Sequence, residues 1–474
     1  MPLRAKILNP AVGAGQARMV TQATMPIVTI EEEKQDDVLF NTLYGARTIE
    51  LNRPAKLNSL NSSMARKITL RLKEWEKSQL ANVIVIKGAG HKAFCAGGDV
   101  ATLAKQNTEG PHGQAHSTEY FGHEYRLDHI IATYSKPYVA FMDGVTMGGG
   151  VGLSVHAPFR IATERTLFAM PETTIGFFPD VGGSFFLPRL DGEIGTYLAL
   201  TSERLTGVNA YYAGIATHYV HSSSLPDLEA RLAELVFKDY ASLQERLRIL
   251  NTTIEEYVTG LPYDEPMKLA SATRAAIDRC FRYDTMEEIL AALQEENTEW
   301  AQKTIETLHQ RSPTSVRVAL RQMRLGRQWS IAEAFQREYH IAAKFMEHPD
   351  FVEGVSARLI RKPADTPQWQ PASLEESTME ATNAFFEVEG ADRLALLSPH
   401  DFSEYPHSWI GLPPESEVEK LVRDGDKTRN QILEHLILAS NGKIGVQEKV
   451  QEILERKTSA DGAGGRVSWI PEEN

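Results

Sequence analysis

Cysteine is nearly absent from this chain: Cys95 and Cys280 are the only two in 474 residues. Two thiols cannot build a disulfide framework, so the fold rests on its core, in keeping with a reducing compartment. Long apolar runs are missing too. No uninterrupted stretch approaches the roughly 20 residues a membrane-spanning helix needs. Excess positive charge is also lacking: 50 Lys and Arg against 63 Asp and Glu leave a net −13. That sign disfavours broad nucleic-acid binding, whose affinity comes largely from neutralised phosphates. Acid is lacking locally. Before Glu31 the only charged side chains are Arg4, Lys6 and Arg18. Residues 1–30 therefore read as a mitochondrial transit peptide or, since serine is absent there, as a disordered leader.

What remains is ordinary for a globular protein with a sizeable core: 42% apolar and 24% charged residues, over a length sufficient for two or three domains. The informative stretch is Asp143-Gly144-Val145-Thr146-Met147-Gly148-Gly149-Gly150-Val151-Gly152. It follows an apolar run, Pro137 to Met142, that reads as a buried strand, and it leads into a short buried helix. Three glycines at a strand-to-helix junction leave N–H groups uncovered, and the helix N-terminus adds partial positive charge. Such a corner can hold an oxyanion that exists only during a reaction. It is equally a turn where two backbones pack closely. A second corner of this kind follows the strand Val83–Lys87, at Phe94-Cys95-Ala96-Gly97-Gly98-Asp99. One N–H from each would make an oxyanion hole.

Two carboxylates lie amid apolar residues, Pro and Gly in the segment from Phe168 to Gly183: Glu172 and Asp180. Burial there would raise their pKa and suit them to proton transfer or nucleophilic attack, although both residue types also cap helices. A helix over 116–134 carries His123-Glu124 and Asp128-His129. The two histidines are six apart and fall on different helix faces, so no metal site is expected, and a surface position suits most of these residues. Val38–Asn41 and Arg47–Leu51 predict a hairpin. Asn61 or Ser62 predicts the cap of a helix burying Met64, Ile68, Leu72 and Trp75. From about residue 190 helices dominate. One starts at Ser312-Pro313 with Arg317, Arg321 and Arg324 on a solvated face. Helices over 415–423, 428–439 and 446–457 precede a Gly-rich end, from Thr458, that reads as mobile.

Taken in order and spacing, Phe94–Asp99, Gly148–Gly150, Met170-Pro171-Glu172 and Phe178-Pro179-Asp180-Val181-Gly182-Gly183 resemble the crotonase (enoyl-CoA hydratase/isomerase) superfamily. More closely they resemble its 3-hydroxyisobutyryl-CoA hydrolase branch. Leu51–Pro54, Lys136–Val139, Gly214–His218 and Phe351–Gly354 extend the match. The resemblance implies an α/β fold: a crotonase-type ββα spiral core over 37–220, then a helical region, 221–375, completing the hydrolase unit. Residues 376–474 would be an additional, partly helical extension. It implies an oxyanion hole from the N–H groups of Gly98 and Gly149, catalysis by Glu172 and Asp180, and acyl contacts by Glu124, Gly149, Glu172 and Asp180. Glu172 would attack the thioester or activate water, in valine catabolism within the mitochondrial matrix. Arg53, Lys56, Arg361 and Lys362 are candidate contacts for CoA, with Lys56 displaced by Ala55 from its usual place after Arg-Pro. Coenzyme A is part of the substrate, and no metal or other cofactor is expected. Gly152 stands where hydratases carry a second glutamate, which disfavours hydration; isomerisation, which needs one glutamate, is disfavoured by Asp180. Cys95 reads as packing. Some fungal relatives serve in the mitochondrial small ribosomal subunit, so proteins of that subunit are expected partners alongside an acyl-CoA; a homo-oligomer is a further expectation.

Overall fold

The structure, a computed structural model, describes residues 36–388, 393–425, 427–461 and 465–470. The leader at 1–30 lies outside the described residues. The hairpin forms as β1 (Val38–Leu43) and β2 (Ala46–Leu51), antiparallel across Tyr44-Gly45. Asn61 caps α1 (Ser62–Lys77) by accepting the Met64 N–H at 2.9 Å, and Met64, Ile68, Leu72 and Trp75 are buried along it. β3 (Val83–Gly88) reads as an unbroken apolar run because both its faces are covered. Ile84 and Ile86 join the cluster under α1, while Val83 and Val85 face Leu228, Leu232, Leu247 and Leu250 on the other side.

Beyond the hairpin each turn of chain leaves one strand in each of two sheets. β3, β5 (Tyr138–Met142) and β7 (Phe159–Ala162) extend the first sheet. β4 (Ala93–Cys95), β6 (Val145–Met147) and β8 (Leu167–Ala169) build the second. β9 (Leu205–Thr206) closes the second sheet and β10 (His218–Tyr219) the first, giving orders β1-β2-β3-β5-β7-β10 and β4-β6-β8-β9. Neighbours among β2, β3, β5, β7 and β10 are parallel, as are β4, β6 and β8, so every link is a crossover. This alternation is the ββα spiral. Between strands lie α2 (Val100–Asn107), α3 (Pro111–Ala132) and α4 (Gly149–Val155). α2 and α4 therefore begin where the second sheet's strands end, which brings the two glycine corners side by side.

Three readings of the sequence need correction. Arg317 and Arg324 are not a solvated face. Arg317 is paired with Glu287 and donates to Leu374 O, while Arg324 meets Glu193 and the carbonyls of Phe281 and Tyr283. Arg321 lies over the Phe386 ring. Their guanidinium groups satisfy carbonyls where helices converge, a role invisible to helical periodicity. Second, Asp128 and His129 are fully buried rather than on the surface, because α3 is covered on several sides. Third, within the end from Thr458, Thr458–Asp461 pairs with Arg466–Trp469 and Val467 is buried, while residues 462–464 and 471–474 lie outside the described residues.

The helices Glu415–Arg423, Arg429–Ala439 and Val446–Lys457 pack on the spiral. Val418, Ile432, Leu436, Val450 and Leu454 share a cluster with Ala162, Val208, Tyr211 and Tyr219. Buried ion pairs reinforce this face: Lys443 with Glu255, and Lys449 with Asp191 at 2.8 Å. No helix among the described residues is long and apolar enough to cross a membrane.

Candidate active site

The site grows from the two corners. A parallel bridge joins Leu60 to Gly98: the Leu60 N–H donates to Gly97 O and the Asp99 N–H to Leu60 O, each at 2.8 Å. Alternation along an extended segment then turns the Gly98 N–H away from Leu60. Gly149 is the first residue of α4, so its N–H has no acceptor within the helix. A methyl group built on Gly149 would lie only 3.4 Å from Gly98 N. The two N–H groups predicted to cradle an oxyanion are neighbours.

The predicted acids converge on the same point. A methyl built on Gly148 would lie 3.0 Å from Glu172 Oε1, and one on Gly149 would collide with Glu124 Oε1 at 2.3 Å. Glycine at 148 is also set by backbone conformation, with φ at 45°. Glu172 opens a short 3₁₀ turn, Glu172–Ile175, directly after β8 and Pro171. Glu124, Glu172 and Asp180 are 2%, 5% and 4% exposed. Glu172 Oε2 has no hydrogen-bond partner among the described residues, which leaves it free for a substrate or water. Burial pushes Glu172 up to about 8, with the nearby Glu124 charge acting in the same direction. Burial likewise raises Glu124 to about 8, opposed by the Tyr120 hydrogen bond. Asp180 is raised by burial and by the charges of Glu124 and Glu172.

Two tyrosines that sequence reasoning missed hold two of these acids, Glu124 and Asp180. Tyr120 donates to Glu124 Oε1 at 3.0 Å, and Tyr125 donates to Asp180 Oδ2 at 2.7 Å. The signal for Tyr120 was available, since it sits one helical turn before Glu124. α3 in fact lays three polar side chains, one turn apart, against three glycines. Methyl groups at Gly98, Gly149 and Gly152 would strike Tyr120 Oη at 2.7 Å, Glu124 Oε1 at 2.3 Å and Asp128 Oδ2 at 2.5 Å. Gly152 is closed from a second side by Val181, at 2.8 Å. The space that a second glutamate would need is filled.

The candidate CoA-binding cations fall into two groups. Arg53 and Lys56 both pair with Asp99, at 2.7 and 3.0 Å, directly beside Gly98. Asp99 itself was quoted only as part of a motif, and its role as their anchor went unread. Arg361 is held bidentately by Glu353, at 2.6 and 3.1 Å, and both it and Lys362 are exposed. Neither bonds to the cradle or its acids among the described residues. Cys95 is buried in β4, and burial pushes its thiol up to about 12, so it stays protonated and packs.

Paired peptide N–H groups beside a buried, partly unsatisfied carboxyl, on a two-sheet ββα spiral, are the arrangement that an oxyanion-hole site for carbonyl chemistry would need. The chain belongs to the enoyl-CoA hydratase/isomerase family, whose model matches residues 46–386. Over 485 aligned residues it is 55% identical to small ribosomal subunit protein mS47 of Neurospora crassa, covering 100% of this chain and 94% of that protein. It is 45% identical to the mitochondrial 3-hydroxyisobutyryl-CoA hydrolase of Gallus gallus, over 76% of this chain and 91% of the relative. Among solved structures, a carnitinyl-CoA dehydratase from Mycobacterium thermoresistibile superimposes with a TM-score of 0.68 at 31% identity, covering 77% of this chain and 99% of that one.

Proposed function

We propose that this chain hydrolyses the thioester of 3-hydroxyisobutyryl-CoA, and of similar short 3-hydroxyacyl-CoAs, to the free acid and CoA. The observation that carries the reading is the pairing of Glu172 with a closed Gly152: Glu172 Oε1 lies against Gly148, while the position where hydratases carry their second glutamate is sealed by Asp128 and Val181. Hydration calls for two acids flanking the substrate double bond; thioester cleavage calls for one delivered oxygen. The thioester oxygen would accept the Gly98 and Gly149 N–H groups. Glu172 would supply the attacking oxygen, as its own carboxylate or through a water it deprotonates. As the tetrahedral centre collapses, the C–S bond breaks and the sulfur takes up a proton. In the carboxylate route, water then cleaves the mixed anhydride. Asp180, held by Tyr125, would orient the substrate hydroxyl and assist that proton transfer. Arg53 and Lys56 are proposed to meet the CoA phosphates, and coenzyme A enters only as part of the substrate. The hydrolase relatives are mitochondrial by name, and the mitochondrial matrix is the compartment this reading assigns.

The test is CoA release from 3-hydroxyacyl thioesters and from the same acyl thioesters lacking the hydroxyl. Asp180→Asn is expected to lower kcat on the hydroxylated substrates by about ten- to a hundredfold and to reduce their advantage over the deoxy series. An unchanged preference would remove Asp180 from the acyl site.

One observation favours a second role beside the first. The mS47 relative matches the whole chain, whereas the Gallus gallus hydrolase matches 76% of it. The extension is thus shared with a protein named for the ribosome, and we infer association with a small ribosomal subunit. On a sucrose gradient of native extract the protein is expected to co-sediment with small subunits. Sedimentation only as free protein would overturn this role and leave the hydrolase reading intact.

A further inference from the structure

The loop that carries Asp180 is gripped by side chains that the proposed reaction does not use. Its backbone is unusual: Val181 has φ at 53° and Gly182 at 82°, consecutive left-handed residues. The first is disfavoured for a β-branched side chain, so something must hold it. Glu338, fully buried on the helix Ile331–Glu347, accepts the Gly182 N–H through Oε2 at 2.7 Å and the Ser184 N–H through Oε1 at 2.9 Å. The Ser184 hydroxyl donates to Oε1 as well. Gln322 donates to Pro179 O at 2.6 Å and reaches Glu338 Oε1 at 3.4 Å. The His156 ring donates to Val181 O at 2.7 Å. Every loop group that meets Glu338 is a donor, and both carboxylate oxygens are used.

We propose that Glu338 is a positioning residue for the reaction: from the helical region it clamps Gly182 and Ser184 and thereby fixes where Asp180 meets the substrate hydroxyl. The inference rests on the hydrolase reading for the identity of that hydroxyl. Glutamine is not equivalent here, because its NH₂ would face one of the loop N–H donors. The clamp is also the route by which the helical region, and not the spiral alone, shapes the acyl site.

The experiment compares CoA release from 3-hydroxyacyl and deoxy-acyl thioesters in the full chain and in two variants. Glu338→Gln is expected to lower kcat on the hydroxylated substrates by about ten- to a hundredfold, with a smaller loss on the deoxy series. Ser184→Ala, which removes one donor and keeps the backbone bonds, is expected to move the same ratio in the same direction by less. Combined with Asp180→Asn, Glu338→Gln should shrink the ratio no further than Asp180→Asn alone, as for two residues acting through one contact. Equal losses on both substrate series would overturn the proposal, since general loosening would produce them. Should Glu338→Gln fail to fold, an unchanged ratio in Ser184→Ala would overturn it. If the unmodified protein releases no CoA, the hydrolase reading fails by itself. Positioning is then read from the affinity ratio of non-cleavable 3-hydroxyacyl and deoxy thioether analogues, which Glu338→Gln must lower for the proposal to stand.

Discussion

Glu172→Gln is expected to lower kcat for CoA release by roughly a thousandfold while leaving the fold intact. The amide cannot supply an oxygen nucleophile or deprotonate water, and it fits the same volume. The pH dependence follows from the same environment. Burial raises Glu172 to about 8, and a base must lose its proton to work. In the unmodified protein kcat/KM should therefore climb about tenfold per pH unit below that value and level off above it. Stability runs the other way. The folded state favours the protonated acid, so Glu172 contributes a term fully present below its ordinary value of 4.5 and lost as pH rises through about 8. Glutamine stays neutral and avoids that loss, so at pH 8 the variant should melt no lower than the parent. Thermal melts at pH 5 and pH 8 separate lost chemistry from lost structure.

Gly149→Ala is the second large effect, expected to reduce kcat/KM by about 10²–10³-fold. Gly149 is the first residue of α4 and its φ is not positive, so alanine costs nothing in backbone conformation and is the better helix former. The damage is local. The new methyl would sit 2.3 Å from Glu124 Oε1 and 3.4 Å from Gly98 N, crowding the place where the thioester oxygen must sit between the two N–H groups. Glu124 must then move, and its bond from Tyr120 moves with it. Near-normal CoA release by a well-folded Gly149→Ala protein would remove the cradle from the mechanism.

Much of this site was legible in the sequence because backbone chemistry leaves plain marks. Glycines at two strand ends, a short apolar helix after one of them, and acids set among Phe, Pro and Gly are local signals that survive without coordinates. The Asn61 cap and the Ser312-Pro313 helix start were legible for the same reason: capping is decided within a few residues. What could not be read depends on distant packing. Asp128 and His129 look like surface residues on a helix of mixed composition until a second layer covers them. Arg317 and Arg324 follow the spacing of a solvated face, yet they satisfy carbonyls delivered by segments tens of residues away. Glu338 shares no local pattern with the loop it holds, which lies about 150 residues earlier in the chain. The partner of Arg53 and Lys56 was hidden similarly, because Asp99 lies 46 and 43 residues further along the chain.

The extension shows the same limit. Its helices were legible from periodicity, but whether Ile432 and Leu436 face a partner or their own chain depends on Val208, Tyr211 and Tyr219. The structure places them against that surface. A ribosomal contact would therefore use the outer face of the extension rather than its apolar stripe.

The central claim is most directly tested by supplying the purified protein with 3-hydroxyisobutyryl-CoA and following free thiol, with crotonyl-CoA hydration followed in parallel. The expected result is thiol release that disappears in Glu172→Gln, and no hydration. Hydration of crotonyl-CoA without thiol release, or thiol release that persists in Glu172→Gln, would contradict it.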